Sequence, residues 1–375
     1  MKRTGIADLP LHGGKAPYWL TQRMTKLLKA MLEVMLSEYT KKEIIRRFSN
    51  PFWFQSLGNL LGFDWHSSGL TTTVSGALSK ALSEMDYPIM VAGGKGRRAT
   101  KTPEEIKLLA DRKGLRNPEN LIESSRITAR VDSILLQDGY NLYHHLILFD
   151  EEGNWSVIQQ GMNPLKKTAR RYHWFSQTAG NYHEEPHSGI SGKKEKITFN
   201  LTHRKSRENK KSIVALFKEA NPHSAEKDLI KALKAVPHLK MPERFSVKLR
   251  NPENIHKILL QTYRKIIEDG KILKDDSWDK AFLKLLKTKG LGPASMRALS
   301  MTAWVIYGKK PAFSDPAVFS YAHGGKDGTP YPVNRDLYDS TIEFLEKIAL
   351  KAKLYPTEKN HLLRRLANLE DKNAL

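Results

Sequence analysis

The chain has 375 residues, a formal net charge of +22 and an isoelectric point near 9.8. It has no cysteine, which excludes disulfides, thiolate metal sites and cysteine nucleophiles and fits a cytoplasmic protein. No run is long and apolar enough to cross a bilayer, and no signal-peptide core follows Met1. With 40% apolar residues the chain is globular, and its excess of cations favours a polyanion, nucleic acid being the commonest.

The first elements read as helices. After Pro17, Leu20, Met24, Leu27, Leu28, Met31, Leu32 and Met35 form one apolar stripe, the mark of a core-facing helix. A short basic helix follows over 40–48. Asn50-Pro51 then caps a helix carrying Phe52, Trp53 and Phe54, aromatics that suit packing better than base stacking. A polar knot, Asp64-Trp65-His66-Ser67-Ser68-Gly69, precedes the next helix.

Gly-Gly-Lys occurs three times, ending at Lys15, Lys95 and Lys326. Such turns aim consecutive N–H groups one way and suit phosphate. The second lies in a basic loop over 92–100 that also holds Arg97 and Arg98. Thr102-Pro103-Glu104-Glu105 opens another helix by its cap, proline and early acids.

From Ser124 the pattern changes. Residues 141–149 and 155–160 read as strands of a β-hairpin joined by Asp150-Glu151-Glu152-Gly153. Asn163-Pro164 is expected to cap a basic helix with Lys166, Lys167, Arg170, Arg171, His173 and Trp174. Five histidines fall between His144 and His187. With nearby carboxylates they raise the possibility of a divalent metal, and His145, His173 and Asp138 are the candidates. Strand alternation sends His144 and His145 to opposite faces, so at most one can serve a shared site.

Residues 193–211 read as an exposed linker or basic strand able to track a phosphate backbone. Beyond them the chain reads helical over 212–219, 225–235, 251–268, 277–287, 335–351 and 357–369. The fold class expected is α+β: an N-terminal domain over 1–195, helical over 17–113 and sheet-containing over 124–192, then a helical domain over 196–375.

Within that second half, Gly290 and Gly292 bracket Leu291 and Pro293 opens a helix with Met296, Leu299, Thr302, Ala303 and Ile306 on one face. Free amides at its start, with Lys287, Lys289 and Arg297 close by, would hold a phosphate. This stretch, 286–315, resembles the helix-hairpin-helix of the DNA glycosylase superfamily. The resemblance implies a catalytic Asp, and Asp315 holds the matching place, with His323 near enough to assist. Ala294 stands where bifunctional members carry a nucleophilic lysine, so no Schiff-base amine is available there. As a plain reading, Asp315 before Pro316 is also a good helix cap.

ADLPLHGGKAPYWL, NPFWFQSLGNLLGFDWHSSGLTTTV, ARVDSILLQDGYNLYHH, VIQQGMN and ARRYHW together resemble a largely uncharacterised, mostly archaeal family, domain of unknown function seven-six-three. It implies no chemistry. Three functions stay open: a DNA-binding repair or processing protein excising bases through Asp315, a metal-dependent nuclease centred on residues 132–187, and a nucleic-acid binder without catalysis.

Overall fold

The computed structural model describes residues 9–11, 16–63, 68–115, 117–218, 276–317 and 335–371. The helices expected at 225–235 and 251–268 lie outside them. The class is α+β: a five-stranded antiparallel sheet with helices packed on both faces.

Helices α1 (Tyr18–Glu38), α2 (Lys41–Phe48), α3 (Pro51–Leu60) and α4 (Gly69–Ser83) come first. Their caps are those the sequence marks. The Thr40 side chain accepts from Glu43 N at 3.2 Å, and Asn50 Oδ1 accepts from Phe52 N at 2.9 Å. Phe52, Trp53 and Phe54 are buried, as packing residues are.

Strand β1 (Ile89–Lys95) follows, then the short helix α5 (Arg97–Thr100), α6 (Thr102–Lys113) and α7 (Pro118–Arg130), which runs into one π-helical turn. The basic loop expected at 92–100 is therefore a strand end and a helix. Gly93 and Gly94 pair with Leu146 and His145 on the sheet edge instead of forming a turn.

The two-residue β2 (Leu136–Gln137) precedes β3 (Asn141–Asp150), β4 (Trp155–Asn163), β5 (Thr168–Phe175) and β6 (His187–Ser191). The spatial order is β1-β3-β4-β5-β6. The basic helix expected after Asn163-Pro164 is β5. Asn163 Oδ1 does accept from Lys166 N at 3.1 Å, the bond an N-cap makes, but here it closes a β-turn. Residues 169–175 are all buried, and Tyr172, Trp174 and Phe175 are aromatics that suit a pleated surface.

Residues 193–211 are not a solvated linker. They supply β7 (Phe199–Asn200), which pairs with β2, and the start of α8 (Arg207–Lys218), with Thr198, Phe199, Leu201 and Lys210 fully buried. Helices α9 (Trp278–Lys287), α10 (Pro293–Tyr307), α11 (Arg335–Lys351) and α12 (Pro356–Asp371) complete the described elements.

Each sheet face has its own core. Leu146, Leu148 and Ile158 pack against α1–α4 and, through Phe344, Leu345 and Leu362, against α11 and α12. Ile147, Phe149, Val157 and Trp174 pack against α6–α10. The second core draws on both sides of residue 195. No helix among the described residues is long and apolar enough to cross a membrane.

Candidate nucleic-acid interface

Antiparallel pairing fixes which connections share an end of the sheet. Lys95 pairs with His144, Asn141 with Met162, Asn163 with Thr168, and Arg171 with Ser191. The end of β1, the β4–β5 turn and the loop after β6 therefore lie together. They carry exposed Lys95, Arg97, Arg98, Lys101, Lys166, Lys167, Lys193, Lys194 and Lys196. Arg98 pairs with Glu105 at 2.9 Å and Lys166 pairs with Glu195. Among the described residues the other seven have no ion pair. The opposite end holds Asp86, Glu151, Glu152, Glu184 and Glu185, and each of these five has a cation, such as Lys41 on Glu152 at 2.8 Å. Seven cations without an ion pair thus stand together at one end of the sheet.

A buried ionic node lies beneath that end. Arg170 on β5 is fully buried and donates through Nη1 to Asp138 Oδ2 at 2.8 Å and through Nη2 to Asp315 Oδ2 at 2.6 Å. Nη2 also donates to Lys193 O at 2.6 Å. Tyr172 donates its hydroxyl to Asp138 at 2.7 Å, and the guanidinium lies over the Tyr140 ring at 4.7 Å. Burial opposes the charge on Arg170, but the two carboxylates outweigh it and hold the guanidinium above its ordinary pKa. Burial raises the Asp138 carboxyl, against the pull of Arg170 and Tyr172. Gly192 sits at φ +150°, and a Cβ there would come within 3.2 Å of Arg170. That glycine lets the lysine loop lie directly on the node.

These contacts correct several expectations. Arg170 and Arg171 are not phosphate contacts, because both are fully buried and Arg171 donates to Gln55 at 2.5 Å. Asp315 does not line an open groove. Its side chain has no exposure, is held by Arg170, and accepts from Ala317 N at 2.9 Å and from Glu195 N. Arg297 is half-buried and donates to Gln137. The metal candidates are dispersed. His145 bonds Ser125 at 2.8 Å on one face of the sheet, His173 lies 3.2 Å from Phe48 O on the other, and Asp138 belongs to Arg170. Among the described residues no three histidines or carboxylates gather to hold a metal ion. Lys15, His323 and Lys326 lie outside the described residues.

The hairpin keeps part of its expected form. Gly290 adopts φ +90°, a conformation that favours glycine, whereas Gly292 is extended at φ −109° and precedes Pro293 at the start of α10. Gly290 and Lys289 are exposed, and Lys287 pairs with Glu123. No side chain caps α10. Sequence reading missed what props the turn. Arg130, at the end of α7, donates to Leu286 O at 2.5 Å, Thr288 O at 3.0 Å and Leu291 O at 2.9 Å. Gln137 donates to Pro293 O at 2.9 Å. Nothing in the sequence marks Arg130, because its partners are main-chain carbonyls more than 150 residues away. Arg130→Ala is expected to cost about 2–3 kcal/mol, since it strips a charge-assisted donor from three carbonyls. Urea denaturation measures the loss, and Arg130→Lys, lacking the fork, should recover little of it.

The chain is thus an α+β protein organised about one antiparallel sheet with a cationic end. Residues 5–333 match the family described as Protein of unknown function (DUF763), and the chain belongs to that family. No curated protein and no solved structure matches it.

Proposed function

We propose that this protein binds duplex DNA through the cationic end of its sheet, as a cytoplasmic component of DNA processing or repair. The observation that carries the reading is the gathering of seven exposed cations without an ion pair at one end of the sheet, while Asp86, Glu151, Glu152, Glu184 and Glu185 at the other end are each paired. Five strands at about 4.8 Å spacing make a strip roughly 19 Å wide, which spans several phosphates of a duplex. Exposed Lys289 and the uncapped start of α10 offer a second phosphate contact. Asp315 is committed to Arg170, so the reading is one of binding and assigns that residue no excision chemistry.

The test is fluorescence anisotropy of a labelled duplex at several salt concentrations. The wild-type affinity should fall steeply with salt. Neutralising Lys167, Lys193, Lys194 and Lys196 to alanine should weaken binding about tenfold or more and flatten the log–log salt slope by about 3–4. Lys280→Ala should change neither, since Lys280 is exposed on α9 beside Asp279, which binds Asn181 on the β5–β6 connection at the other end. Wild-type protein that ignores duplex at low salt, or a quadruple variant that binds as well, defeats the proposal.

A further inference from the structure

We propose that Leu165, at the tip of the β4–β5 turn, is a wedge that inserts between base pairs and bends the duplex; this rests on the DNA-binding reading above. Leu165 is 96% exposed, far more than any other large apolar side chain among the described residues. Tight turns ordinarily place Gly, Asn, Asp or Ser at such tips, and a leucine there gains nothing from the fold. The turn is nevertheless well held. Its ends pair as Asn163 with Thr168, Lys166 N donates to Asn163 Oδ1 at 3.1 Å, and Lys167 N donates to Pro164 O at 3.4 Å. Lys167 adopts the left-handed φ of +51°.

The surroundings specify the partner. Lys166 and Lys167 directly follow the leucine, and the Lys166–Glu195 pair ties its turn to the neighbouring lysine loop, where Ile197 is also exposed. Phosphate contact alone needs only cations. An aliphatic side chain projecting from the middle of a cationic strip matches the wedges that minor-groove binders push into a base step, unstacking it and bending the helix. Peripheral membrane attachment calls for a broad apolar face, and here the apolar area is two side chains.

The experiment uses the full-length protein and a duplex carrying a donor and an acceptor dye at its ends, with anisotropy run in parallel. Wild type should raise the transfer efficiency as it binds. Leu165→Ala should bind within about threefold of wild type yet leave the efficiency at its free-duplex value, and Leu165→Met should restore the rise. Wild type that binds without bending, or Leu165→Ala that bends as well as wild type, overturns the wedge and leaves the DNA-binding proposal standing. Failure of wild type to bind removes both. Vesicles of phosphatidylserine are the competing probe: wild-type binding to them that Leu165→Ala abolishes, with no duplex bending, also overturns the wedge.

Discussion

Replacing Arg170 by leucine is expected to destabilise the protein by about 3–5 kcal/mol, a large share of the stability of an ordinary domain. The residue is fully buried, and its guanidinium stands between the carboxylates of Asp138 and Asp315. Without it two negative groups face each other in a site with no exposure. The loss should appear as a shift of the urea midpoint at constant slope. Arg170→Leu combined with Asp138→Asn and Asp315→Asn should recover part of it, because the buried charges leave with their partner. A loss under about 1 kcal/mol for Arg170→Leu would mean that water reaches the node. Binding should respond as well. Arg170 holds Lys193 O, and Asp315 accepts from Glu195 N, so the node sets the course of the loop that carries Lys193, Lys194 and Lys196.

The same residues show what the sequence could and could not convey. Local signals were sound: Thr40 and Asn50 cap the helices that they precede, 150–153 turns β3 into β4, and Pro293 opens α10. The run from Lys166 to Arg171 misled because it looks uniformly basic. Local sequence does not reveal that Lys166 and Lys167 sit on a turn in water while Arg170 and Arg171 sit on a buried strand. That division depends on Asp138, Asp315 and Gln55, which lie 32, 145 and 116 residues away. For the same reason the cationic end was legible only in pieces. Its lysines come from three separate stretches, and antiparallel pairing alone puts them side by side. Leu165 carried a readable signal, an apolar residue between a proline and two lysines at a turn. Reading the run as a helix hid it.

Acid should unfold this protein well above the range in which its carboxylates titrate. His144, His145, His173 and His183 are all buried. Burial lowers the pKa of each, that of His144 to about 3 with help from His145, Lys95 and Arg171, and that of His183 with help from Lys210. The folded values lie below the ordinary 6.5, so at intermediate pH the unfolded chain holds protons that the folded one refuses. Stability from this source is complete above about pH 6.5 and is lost as pH falls. Each histidine contributes up to about 1.4 kcal/mol per pH unit, so four together contribute at most about 5–6 kcal/mol per unit. Asp138 and Asp150, whose carboxyls burial raises, work in the opposite sense but are two groups against four. A typical folding free energy of about 5–15 kcal/mol would be spent within about one to three units. The expected result is a urea midpoint nearly constant from pH 8 to 7 that drops steeply below 6.5, with cooperative unfolding near pH 5. His173→Asn is the informative variant. It should be less stable at pH 7.5, because the packing around Phe54 is disturbed, yet its profile below 6.5 should be shallower by about 1.4 kcal/mol per unit. A wild-type profile that stays flat down to pH 5 would show that these imidazoles accept protons in place, which their burial argues against.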